Sequence, residues 1–84
     1  MIVVKVFGGL AQGLGADQVS VEADKLTVGN LISILESKRL SGDAIRQSNL
    51  LIFVNGVEVS TLDGPQTLVK AGDKVAIIPV AHGG

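Results

Sequence analysis

Lys74-Val75-Ala76-Ile77-Ile78-Pro79-Val80 is the last apolar run of the chain, and Ala81-His82-Gly83-Gly84 follows it. Val75 to Ile78 is short, mostly β-branched and preceded by the turn signal Ala71-Gly72-Asp73, so it reads as a strand. Its match lies at the other end, in Ile2-Val3-Val4-Lys5-Val6-Phe7, where Lys5 interrupts one parity and leaves Ile2, Val4 and Val6 facing a core. Whether these two strands meet decides the architecture.

Between them the segments come in a clear order. Gly8 to Gly15 is glycine-rich and is expected to be a hairpin loop, because Val19 and Val21 then alternate with Gln18, Ser20 and Glu22 as a half-buried strand that can return against the first. Thr27 precedes Val28, Leu31, Ile32 and Leu35, which stand at i, i+3, i+4 and i+7, the apolar face of a helix capped by the Thr hydroxyl. That helix should end near Lys38 to Leu40, ahead of the stop signal Ser41-Gly42-Asp43. Leu50 to Val54 is a strand, Asn55-Gly56 a type I′ turn, and Val57 to Val59 its return. Thr61 to Asp73 is a polar connector with Leu68 and Val69 expected to plug the core beneath it.

One helix on one face of a mixed sheet buries Val28, Leu31, Ile32 and Leu35 most economically. With the first and last strands parallel at the centre, the prediction is one α+β domain over residues 1–84, a β-grasp (ubiquitin-like) fold. It would have a mixed sheet of four to five strands and one main helix. Pro79 has no N–H with which to continue a ladder, so the strand is expected to peel away there and leave residues 80–84 as a flexible tail. Five residues extended at about 3.3–3.6 Å each reach roughly 16–18 Å.

Composition narrows the function. Eighty-four residues suffice for one small core. Seven basic against eight acidic residues leave no basic face to track phosphates, so nucleic acid is an unexpected partner. Without cysteine there are no disulfides, thiolate zinc sites, iron-sulfur clusters or thiol nucleophile. Phe7 and Phe53 are the only aromatic residues, too few for a stacking platform. The apolar start is too short for a signal core or a membrane span, and a cytoplasmic protein with no membrane partner is expected.

No catalytic apparatus stands out. Gly8 to Gly15 lacks the Lys and Ser/Thr that grip phosphate and magnesium in a phosphate-binding loop. Asp17, Glu22, Asp24, Glu36, Asp43, Glu58, Asp63 and Asp73 show no pairing that would mark acid-base chemistry. His82 has no companion ligand, so no metal site is expected. It could titrate near neutral pH and assist proton transfer beside the carboxylate, or be a solvated residue or a contact for a partner.

The tail carries the functional signal. Glycine has no Cβ, so Gly83 and Gly84 can thread a channel closed to side chains, with the α-carboxylate of Gly84 as cargo. The plain alternative is a frayed end. A second candidate is the sheet face away from the helix. If Lys5 and Lys74 point outward, Val3, Phe7, Ala76 and Ile78 share that face with Leu51 and Phe53, and with Pro79 at its end. Leu50 to Val54 is apolar on both parities, so these side chains could instead be core.

Leu26-Thr27-Val28-Gly29-Asn30 at the helix start, Val54-Asn55-Gly56 at the hairpin, and Ala71-Gly72-Asp73-Lys74-Val75 leading to Ile78-Pro79-Val80-Ala81-His82-Gly83-Gly84 form an ordered set. Together they resemble the ubiquitin-like sulfur carriers: the small subunit of molybdopterin synthase, the thiazole-synthesis sulfur carrier, the ubiquitin-related modifier and the small archaeal modifiers. The likeness covers essentially the whole chain. His82 directly before the glycines is similar to the ubiquitin-related modifier. The molybdopterin branch typically has two prolines and a small residue there, and an Arg-containing segment in the first loop, which this chain lacks.

The resemblance implies a carrier that is not itself an enzyme. A partner enzyme would adenylate Gly84 using ATP and magnesium that the partner binds. A sulfur donor would then displace AMP to leave a thiocarboxylate for molybdopterin or tRNA thiolation, with a sulfur-accepting synthase subunit as a further partner. Attack by an amine would instead give an isopeptide bond to a target-protein lysine. Val80, Ala81, His82 and Gly83 would be the arm presented to the partner, and Phe7, Leu51, Phe53, Ile78 and Pro79 its docking surface. A non-covalent β-grasp binding module, its glycines incidental, is the remaining alternative.

Overall fold

The computed structural model describes residues 1–80. The chain runs β1 (Ile2–Val6), α1 (Gly8–Leu14), β2 (Gln18–Val21), β3 (Lys25–Thr27), α2 (Val28–Ser37), β4 (Leu50–Val54), β5 (Val57–Glu58), β6 (Leu68–Lys70) and β7 (Lys74–Pro79). Five strands form one sheet in the order β2-β1-β7-β4-β5, and β3 pairs with β6 in a separate two-stranded sheet. β1 and β7 lie parallel at the centre, Val4 opposite Val75 and Val6 opposite Ile77, while the other pairs are antiparallel. A parallel pair needs a crossover, and α2 lies within it. This is the α+β, β-grasp arrangement the end strands predict.

The core lies between α2 and one sheet face. Val28, Leu31, Ile32 and Leu35 of α2 are buried in one cluster with Ile2, Val4, Val6, Ile52, Val54, Val75 and Ile77. The helix starts as its sequence dictates: the Thr27 hydroxyl accepts the Asn30 N–H at 3.1 Å. Its last residue is Ser37 and Lys38 is its C-cap, at the near edge of the expected range. At the β4–β5 hairpin Asn55 (φ 52°) and Gly56 (φ 82°) both have the positive φ a type I′ turn requires.

Three expectations are corrected. Gly8 to Gly15 is not an open hairpin loop: Gly8 to Leu14 forms helix α1, stopped by Gly15 at φ 72°. Glycine costs a helix about 1 kcal/mol each relative to Ala, which hides the element from a propensity reading. Burial of Leu10 and Leu14, four residues apart on one side, offsets that cost. Gly13 is also where the helix meets the chain after α2, since a Cβ there would stand 2.7 Å from the Ser41 carbonyl oxygen. Second, Leu68 does not plug the core. It alternates with Val69 on β6, and Val69 is buried while Leu68 is exposed. The connector therefore contains a strand, matched by β3. The third correction, at Pro79, concerns the site.

Candidate functional site: the exit of the last strand and the outer sheet face

Pro79 does not release the strand. It remains in register opposite Leu50, and one residue later the Val80 N–H donates to the Asn49 carbonyl at 2.9 Å. Backbone N–H groups alternate in direction along a strand. Val80 points toward β4, so the nitrogen of Pro79 points toward the β1 side. There the paired register has already ended at Val6–Ile77, and no ladder donor is missed. Val80 is thus anchored and is not the first residue of a free arm. Gly84, Gly83, His82 and Ala81 lie outside the described residues.

Beside this exit a groove of about 500 Å³ opens between α1 and the 39–50 segment, with Leu10, Leu14, Arg39, Arg46, Leu50 and Val80 among its walls. The 39–45 wall is held by one carboxylate. Glu36 accepts from Arg39 Nε at 2.9 Å and Nη2 at 3.0 Å, and from the Ile45 N–H at 2.9 Å. Arg39 Nη1 in turn donates to the Gly42 carbonyl at 2.7 Å. The hydrogen bonds from Arg39 and then from Ile45 hold the Glu36 carboxyl below its usual range. The groove is assembled from three distant stretches of chain. Its only trace in the sequence is the i,i+3 spacing of Glu36 and Arg39.

The outer face is where Lys5 and Lys74 place it. Ile52, Val54, Val75 and Ile77 are buried on the helix side. On the other side register sets Leu51 beside Ile78, Phe53 beside Ala76, and Ala76 beside Lys5. Extended backbone at Phe7 carries the parity of β1 one residue further. Phe7, Leu51 and Ile78 are 45%, 41% and 37% exposed, and Phe53 and Pro79 are half-buried. Leu50 to Val54 is apolar on both parities because one side of β4 packs on α2 and the other lies on this face. Phe7, Leu51, Phe53 and Ile78 therefore share the outer face, but Pro79 does not: paired with Leu50, it has the parity of buried Ile77 and lines the groove beside α1 instead.

No group of three or more His, Cys, Asp or Glu among the described residues could hold a metal, and none of their helices is long and apolar enough to cross a membrane. The arrangement can present a chain end next to an apolar surface ringed by Lys5 and Lys74.

Known proteins fit this geometry. A candidate sulfur carrier protein of Archaeoglobus fulgidus is 34% identical over 82 residues, covering 89% of this chain and 93% of that protein. The solution structure of small archaeal modifier protein 1 from Methanosarcina acetivorans superimposes with a TM-score of 0.76 at 25% identity, over 99% of this chain and 95% of that one. A chain in the crystal structure of the Amycolatopsis orientalis BexX/CysO complex matches in fold, with a TM-score of 0.74 at 23% identity over the full length of both chains. Residues 4–84 match the ThiS family, and the chain belongs to that family of ubiquitin-like sulfur carriers.

Proposed function

We propose that this protein carries sulfur on the C-terminal carboxylate of Gly84. The carboxylate oxygen attacks the α-phosphorus of an ATP held with magnesium by a partner enzyme, and pyrophosphate leaves. A sulfur nucleophile supplied through that partner then displaces AMP, leaving a thiocarboxylate. Activation is needed because a carboxylate is a poor electrophile, and a leaving group of low basicity removes that obstacle. In this reading the chain is a co-substrate, with Ala81 to Gly83 as the presented arm, Val80 and Pro79 as its anchored root, and Phe7, Leu51, Phe53 and Ile78 as the docking surface.

One observation carries the proposal: the central strand β7 ends at the border of an exposed apolar face, with Leu51 beside Ile78 next to the anchored Val80. A partner resting on that face has the arm within reach. The likeness to small archaeal modifier protein 1 favours a second reading of the same tail, in which a lysine amine displaces AMP and an isopeptide bond forms.

The test is intact mass spectrometry of the protein from its own cells, under conditions that preserve thioacids, beside a variant lacking Gly83 and Gly84. Replacement of one oxygen by sulfur on the full chain, absent from the truncated one, is the expected result. Conjugates to other proteins without any thiocarboxylate would favour the modifier. Adenylation of the truncated variant at the full-length rate would refute both readings. Its melting temperature should match that of the full chain, since residues beyond the last anchored strand add little to the core.

A further inference from the structure

Gly8 stands outside the diglycine tail but touches the root of it. Its φ is +59°, and a Cβ built on it would lie 3.3 Å from Cγ and 3.9 Å from Cδ of Pro79. The adjacent Gly9 has nothing within 4 Å of the same position. Pro79 is therefore gripped on two sides. On one flank its ring lies over the backbone of Gly8, where the chain leaves β1 and enters α1. On the other, the next residue is tied through its N–H to the Asn49 carbonyl at 2.9 Å.

We infer that Gly8 is a positioning residue for the arm. Its missing side chain leaves the space in which the Pro79 ring sits, and this seat sets the direction in which residue 81 departs. The inference rests on the tail reading above. Its leverage is geometric. Four residues drawn extended into a partner span about 13–14 Å, so a tilt of only about 5° at the root moves the far end by about 1 Å. A displacement of 1 Å at a reacting group can already cost a hundred-fold in rate. Leu51, Phe53 and Ile78 of the outer face, in contrast, are not among the atoms a Cβ at Gly8 would meet.

The experiment is a double-mutant cycle on adenylate formation with the cellular activating enzyme, comparing Gly8→Ala, Gly8→Asn, Pro79→Ala and Gly8→Ala/Pro79→Ala, with Gly9→Ala as the control. Asn tolerates positive φ but restores a Cβ, which separates backbone strain from the contact with proline. Expected for both Gly8→Ala and Gly8→Asn is a fall in kcat of about ten-fold, with KM for the carrier changed less than about two-fold. Simple loss of folded protein would raise the apparent KM instead. The double variant should return to the level of Pro79→Ala, because Cγ and Cδ are gone.

An unchanged kcat in Gly8→Ala, recovery in Gly8→Asn, or a double variant no better than Gly8→Ala would overturn the inference. If the unmodified protein forms no adenylate at all, the function reading fails instead. The positioning then stands or falls on exchange of the Val80 amide in the free protein. Gly8→Ala should accelerate it several-fold and Gly9→Ala should not; equal protection in all three proteins would refute the seat.

Discussion

Ile77 and Ile78 are neighbours on β7 with opposite duties, and substituting each separates the fold from the docking face. Ile77 is fully buried between Val6 and Ile52. Truncating such a side chain to Ala costs about 2–5 kcal/mol through lost transfer energy and the cavity left behind. A chain of this length has roughly 4–13 kcal/mol of stability in all. At about 4–8 °C per kcal/mol for a domain of this size, Ile77→Ala should lower the melting temperature by roughly 10–30 °C. Ile78 lies on the other side, 37% exposed beside Leu51. Ile78→Asp gives up part of one side chain's burial, about 1–2 kcal/mol, and so less than about half that shift. It also sets an unpaired charge in the centre of the proposed interface, where losses of about 2 kcal/mol or more are usual. KM for the carrier in adenylation should then rise about thirty-fold. The assays are thermal unfolding by circular dichroism and pyrophosphate exchange with the activating enzyme. Equal destabilisation by the two variants would refute the assignment of faces. A folded Ile78→Asp with an unchanged KM would refute docking through this surface.

Other tests follow from single contacts. Thr27→Ala removes the acceptor of the Asn30 N–H and should cost about 1 kcal/mol, or about 4–8 °C of melting temperature; Thr27→Ser should recover most of it. The Asp73 carboxyl is held below its ordinary 3.8 by the Lys70 N–H and then by the Asn55 side chain. A depressed folded pKa gives stability that is present above the ordinary value and lost as pH falls through the lower folded one. Urea midpoints of the native protein should therefore drop as pH falls below the ordinary 3.8, and Asp73→Asn should flatten that part of the curve; an equally steep acid limb in the variant would exclude Asp73 as a contributor. Phe53→Asp should weaken partner binding with the fold intact, and global unfolding of that variant would count against an exposed docking face.

The parts of the fold that were legible are those where one residue fixes a choice. Lys5 marks the parity of β1, Thr27 the start of α2, and Asn55-Gly56 the hairpin, and each stands where its chemistry requires. Helix α1 was hidden because three of its seven residues are glycine and its stability comes from burying Leu10 and Leu14, a property of the tertiary structure. β3 and β6 are three residues each, too short for periodicity to register. The consequence of Pro79 depends on which neighbour its nitrogen faces. That is set by the register of three strands and by where β1 stops, neither of which the dipeptide Ile78-Pro79 reveals. The faces of β4 were open for a similar reason, and pairing with β7 resolved them. The 500 Å³ groove joins residues far apart in the chain and could not be read locally.

The central place of β7 also has a mechanical consequence. Hydrogen bonds to β1 on one side and β4 on the other lie across the strand axis. Tension applied through Val80 along that axis loads both ladders in shear, so many bonds must yield together. An edge strand such as β5, pulled at right angles, would open one pair at a time like a zip. Because unfolding under force is governed by the barrier to that first concerted rupture, a machine hauling on the chain end would drag the whole body against its entrance before the sheet gave way.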